Sequence, residues 1–158
     1  MEVSIYTNEL LYNIKNKSHQ ELAVLAPDPE QRYTQEAGTD KEEDLKRCII
    51  ESYSEVVGIV SRFEYNICPV QEVTAAVPEL PEYFVFYIES SERRLVSEEQ
   101  ALANMILSYM TNRSLSRYYA NAGRNDLAEK DEANAAYDKD QIIKLIYRKR
   151  RPSIPTRD

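Results

Sequence analysis

Tryptophan is absent from this chain of 158 residues, and histidine (one), cysteine (two) and glycine (three) are scarce. Each shortage excludes a class of function. With Gly38, Gly58 and Gly123 standing singly, there is no glycine-rich phosphate loop. His19 is alone in the polar stretch Lys17-Ser18-His19-Gln20, so there is no H-E-x-x-H pair and no Cys/His/Asp triad pattern. A surface histidine is the ordinary reading of such a residue. The serine-nucleophile pattern G-x-S-x-G is also missing. Cys48 and Cys68 lack metal-ligand spacing, and Cys48 falls inside a helical apolar pattern, where a small buried hydrophobe is expected. No stretch approaches the about 20 apolar residues of a membrane span. Met1-Glu2-Val3-Ser4-Ile5 carries neither the basic region nor the apolar run of a secretory leader. These shortages predict a soluble protein made in a cytoplasm, with no membrane contact, no cofactor and no metal, and not an enzyme.

What is present points to surfaces rather than to chemistry. Twelve tyrosines supply apolar area with a polar tip, which suits residues that end in interfaces. The formal net charge of −7 is unevenly spread. Between Asp28 and Glu55 nine acids face four bases, whereas from Gln141 onward six cations face the single acid Asp158. The two regions can therefore attract oppositely charged surfaces. The adjacent acids Glu42 with Glu43 and Glu98 with Glu99 mark helix starts before they mark catalysis.

The length suits one domain with a real core, and the pattern predicts a mainly α fold with a minor β element (α+β). Val3 and Ile5 alternate with polar neighbours as in a short strand over residues 2–5. Thr7 can cap a helix through Leu10, Leu11 and Ile14 to about Lys17. Over residues 18–38 apolar side chains thin out and Pro27-Asp28-Pro29 breaks any helix, predicting an extended arm that orders against a neighbour. Thr39-Asp40-Lys41-Glu42 has capping-box spacing and opens a long helix whose stripe runs Leu45, Cys48, Ile49, Tyr53, Val56, Val57, Val60 and Phe63. Close helix packing is the expected reason for Gly58 within it. Residues 70–76 are a weak strand candidate and the aromatic run at 83–89 a strong one. The second must pair with residues 70–76, with Val3 to Ile5, or with another subunit.

Residues 97–152 organise the rest as a C-terminal antiparallel helical hairpin. Ser97-Glu98-Glu99-Gln100 has the spacing of a second capping box, and Leu102, Ile106, Tyr109, Leu115 and Tyr119 then recur at helical spacing. Gly123 is placed to end that helix in the left-handed conformation, and Asn125 to cap the next. Leu127, Ala128, Ala135, Ile142, Leu145 and Ile146 line the last helix around a polar, alanine-rich middle. Leu102, Ile106, Tyr109, Leu145 and Ile146 are expected to pack with Ile49, Val56, Val60 and Phe63. Residues 1–152 would form the domain, and residues 153–158, beyond Pro152, an extended tail.

The last helix ends in Tyr147-Arg148-Lys149-Arg150-Arg151, the candidate binding site. Four clustered cations beside a tyrosine can hold phosphates, as in a helical nucleic-acid-binding or regulatory protein. They can equally be a solvated helix end favoured by its own dipole. The acidic balance elsewhere favours a third use, insertion into an acidic groove on a protein partner or neighbouring subunit.

The order of parts, with the helix start Thr39-Asp40-Lys41-Glu42-Glu43-Asp44-Leu45 and the ending Ile146-Tyr147-Arg148-Lys149-Arg150-Arg151-Pro152, resembles head-tail connector (adaptor or ring) proteins of tailed bacteriophages. The nearest likeness is to those of crAss-like phages and related prophages. That resemblance implies a non-enzymatic structural protein located in the virion, at the head-tail interface. It implies a homo-oligomeric ring, commonly a dodecamer, bound beneath the portal protein and joined to a further tail or ring protein. DNA would pass through its channel without sequence readout.

Overall fold

The computed structural model describes residues 2–25, 42–61, 79–88 and 96–147. Among them are two strands and four helices: β1 (Glu2–Tyr6), α1 (Thr7–Leu25), α2 (Glu42–Ser61), β2 (Tyr83–Tyr87), α3 (Val96–Asn121) and α4 (Asn125–Tyr147). The fold is mainly α with a minor β element, as the periodicity predicts.

The aromatic strand finds its partner in the first residues of the chain. β1 and β2 pair antiparallel, with Val3 opposite Phe86 and Ile5 opposite Phe84. Because side chains alternate across a strand, these four face inward and are buried, while Tyr6, Tyr83 and Tyr87 face outward. Tyr53 of α2 seats the ribbon, its ring 5.0 Å from Phe84 and 5.2 Å from Phe86. Helix α1 follows β1 without a linking residue, so Thr7 does not act as a cap ahead of the helix. Its amide donates to the Glu82 carbonyl at 3.0 Å and its hydroxyl to that of Pro81, tying the helix start to the approach of β2.

Helix α1 runs past the expected end near Lys17 to Leu25. Leu10, Ile14, Ser18 and Leu22 form one stripe at four-residue spacing, each fully buried. The first eight residues of the expected arm, 18–25, therefore belong to this helix. Burial of Ser18 and Glu21 among polar partners replaces the apolar signal that was missing there. Residues 26–38, the strand candidate at 70–76, Phe63, Cys68 and the tail at 153–158 lie outside the described residues.

Helix α2 opens with Glu42, Glu43 and Asp44, anions that complement the positive end of its dipole. Leu45, Cys48, Ile49, Tyr53, Val56 and Val60 are buried along it, and Ile59 joins them. The buried Cys48 thiol is pushed up to about 11, first by burial and then by the charge of Glu51. Close packing does not explain Gly58, since a side-chain carbon there would meet nothing within 4 Å. The glycine instead borders an open cleft between α2 and α4.

Helix α3 is the central element, touching α1, α2, α4 and β1. It starts at Val96, one residue before the expected capping box, and Gln100 turns its amide to Asn104 at 3.1 Å rather than back toward Ser97. Its exit is a Schellman turn. Gly123 has φ of 78°, its amide donates to Ala120 at 3.2 Å, and the Arg124 amide donates to Tyr119 at 2.9 Å. The Ala128 amide returns to the Arg124 carbonyl at 3.0 Å, so Arg124 rather than Asn125 holds the N-cap position of α4. The hairpin is antiparallel.

The buried side chains form one cluster that includes Leu102, Ile106, Tyr109 and Ile146 with Ile49, Val56 and Val60, while Leu145 packs at its edge. Ile106 is fully buried. Ile106→Ala is expected to cost about 2–5 kcal/mol in a urea titration, because the core can collapse only partly around the deleted atoms. Gly123→Ala meets open space, so its expected cost of about 1 kcal/mol is conformational, and thermal unfolding of the variant measures it.

Candidate functional site

Of the predicted site, Tyr147 closes α4, and Arg148, Lys149, Arg150 and Arg151 lie outside the described residues. The antiparallel hairpin carries the end of α4 toward the first turns of α3, which bear Glu98 and Glu99. Lys144 lies in the last turn of α4, where a cation complements the helix dipole.

The structure draws together two further groups of charged side chains, and both lie where α3 meets its neighbours. The first centres on Glu55 of α2. Arg113 of α3 reaches it with Nε at 2.9 Å and Nη2 at 3.3 Å, and Tyr109 donates its hydroxyl at 2.8 Å. Arg117, one turn on, bonds both Glu55 and Glu51, the latter at 2.8 Å. Two acids spaced four apart on α2 thus face two arginines spaced four apart on α3. Burial alone would raise the Glu55 carboxyl, but donation from Arg113, Tyr109 and Arg117 outweighs it and brings the group down to about 2. The same carboxylate, after burial, pushes the Tyr109 hydroxyl well above the usual tyrosine range. A cleft of about 440 Å³ opens beside the group between Gly58, Ala135 and Lys139.

The second group joins α1, α3 and α4. Lys17 of α1 bonds the Asn112 amide oxygen and stands 2.9 Å from Asp131 and 3.7 Å from Glu21. Asn112 passes its amide nitrogen to Asp138 at 2.7 Å, where Ser108 also donates at 2.7 Å. Tyr119 donates to Ser18 at 3.0 Å. Asp138 is therefore satisfied. Glu21 and Asp131 are not: both are buried, Asp131 completely, and none of their four oxygens has a hydrogen-bond donor in good geometry. Burial, then the charge and hydrogen bonding of Asp131, push the Glu21 carboxyl up to about 7, against the opposing pull of Lys17 and Lys130. A second cleft, of about 490 Å³, opens beside Lys17, Glu21 and Lys130.

Sequence reasoning missed both groups, although one carried a signal. Ala128, Asp131, Ala135, Asp138 and Ile142 follow alternating steps of three and four, the spacing of a buried helix seam with aspartates at alternate positions. Reading α4's middle as merely polar hid that seam. The Glu51–Glu55 and Arg113–Arg117 ladders could not be matched before the α2–α3 pairing was known.

Among the described residues, no group of three or more histidines, cysteines, aspartates or glutamates is placed to hold a metal ion. No described helix is long and apolar enough to cross a membrane. Comparison with protein-family models, with curated proteins and with solved structures finds no match to this chain.

The Glu55 group should shape acid stability. Its carboxyl is lowered on folding, so its contribution is present above its ordinary value of 4.5 and is lost as pH falls toward about 2. Glu55→Gln is expected to cost roughly 1–3 kcal/mol near neutral pH, where two arginines lose their shared anion, and little at about pH 2. Urea titrations across that range measure the difference.

Proposed function

We propose that this chain is a structural protein of a tailed-bacteriophage virion, a subunit of a head-tail connector ring that sits beneath the portal and extends the DNA channel. The observation that carries the reading is the outer face of the β1–β2 ribbon, where Tyr6 is 59% exposed and Tyr83 and Tyr87 are each 42% exposed. A tyrosine-bearing face set on a packed core suits contact between subunits, since each ring contributes apolar area and keeps a polar tip. The order of elements agrees with the layout that the resemblance implies: strand, helix, acid-capped helix, short strand and helical hairpin. The Glu55 group also fits a structural role, because its charges close on one another and brace α2 against α3. In this reading the basic run after Tyr147 makes the contact with the portal protein or the adjacent subunit, and DNA passes without being read.

Images of particles purified with their neighbours test the class directly, through rotational symmetry about the channel. Replacing Arg148, Lys149, Arg150 and Arg151 together with glutamine is expected to leave the melting of the isolated chain nearly unchanged, since exposed charges contribute only about 0–1 kcal/mol. The same variant is expected to lose stable docking. Normal particle yield from it would reduce the run to a solvated helix end. Salt-sensitive DNA binding that disappears in this variant would instead support the nucleic-acid-binding alternative.

A further inference from the structure

Two buried acids on different helices, with one ammonium between them, form an arrangement that ordinary packing avoids. Glu21 comes from α1 and Asp131 from α4, and their four oxygens lack donors in good geometry. A buried carboxylate is costly unless it is well paired, and two side by side that share the single ammonium of Lys17 are costlier. A proton on Glu21 resolves much of this, because the protonated oxygen becomes a donor to Asp131. Lys17 then faces a single remaining negative charge, at 2.9 Å.

We propose that α1 is latched to the α3–α4 hairpin by one proton shared between Glu21 and Asp131, and that its loss as pH rises loosens the helix. The groups facing this pair come from three elements. Lys17 lies on α1 itself, Tyr119 and Asn112 face it from α3, and Lys130 from α4, with Asp126 beside the same cleft. Tyr119 and Asn112 are neutral, so Lys17 and Lys130 are the cations that oppose the shift. Asp138 is held separately, by Ser108 and Asn112.

The sign follows from linkage. The Glu21 carboxyl is raised from 4.5 to about 7 when α1 is docked and returns to its ordinary value when released. Docking is therefore fully favoured below about 4.5 and weakens as pH climbs through about 7. A cell interior near neutrality falls at the upper edge of that window. Release would bare the hairpin surface now covered by Leu10, Ile14 and Leu22.

Hydrogen exchange on the full chain, corrected for the intrinsic pH dependence of the amides, tests the latch. A His19→Gln background removes the chain's one histidine, so that the carboxyl pair is followed without an imidazole on the same helix. Protection of α1 is expected to fall at least about tenfold between pH 5 and pH 8, while that of α3 changes little. Glu21→Gln, whose amide imitates the protonated acid, is expected to keep α1 protected at both values. Asp131→Asn supplies a donor to Glu21 and is expected to behave alike, which guards against one variant failing to fold. Equal protection of the parent at the two pH values, or an undiminished fall in both variants, would overturn the proposal. So would a carbon NMR titration placing Glu21 at its ordinary value.

Discussion

The three-residue connection between α3 and α4 is the constraint on which the remaining structure depends. Gly123 takes a backbone angle open to few other residues, and the carbonyls of Tyr119 and Ala120 are satisfied within the turn. With no slack between the helices, their register is fixed from Ala122 onward. That register sets Asp138 opposite Ser108 and Asn112, and places Asp131 where Lys17 can reach both it and Asn112. A one-residue slip would rotate α4 by about 100° and carry those aspartates away from Ser108, Asn112 and Lys17.

Helix α3 bears the consequence. It has neighbours on several sides, so its middle cannot be amphipathic in the usual sense, and Thr111, Asn112, Ser114 and Ser116 are all buried. Asn112 and Ser114 are places where two helices come close and exchange a hydrogen bond, whereas the Thr111 hydroxyl turns to the Leu107 carbonyl within α3 itself. Ser114 and Ser52, at 3.0 Å, show the pattern between α3 and α2. Such bonds add little net stability, but an unmatched partner is expensive, so they reject alternative registers.

Much of this architecture was legible in the residues. Gly123, the apolar stripe of α2 and the alternation in Val3-Ser4-Ile5 and Phe84-Val85-Phe86 each obey a local rule, and local rules can be read locally. The end of α1 obeys a distant one. Ser18 and Glu21 look like surface until Tyr119 and Asp131, more than a hundred residues away, are brought against them. The charged groups around Glu55 and Glu21 were hidden for the same reason, because a buried charge is recognised by its partner rather than by its neighbours in sequence. The basic run was the most conspicuous charge feature in the chain, and conspicuousness in sequence reflects clustering rather than burial.

The ribbon of β1 and β2 has a consequence for how the chain is made. Glu2 lies opposite Tyr87, so the first strand waits for a partner about half the chain away. Throughout synthesis of the intervening residues, Val3 and Ile5 have no sheet to join, and closing so long a loop slows the search for it. Helices α1 and α2 can form from local contacts while that search proceeds. β1 leaves the ribosome well before β2 and is thus among the last elements to reach its native pairing, and a chain interrupted before β2 would lack the strand that β1 pairs with, leaving an edge able to pair with other molecules.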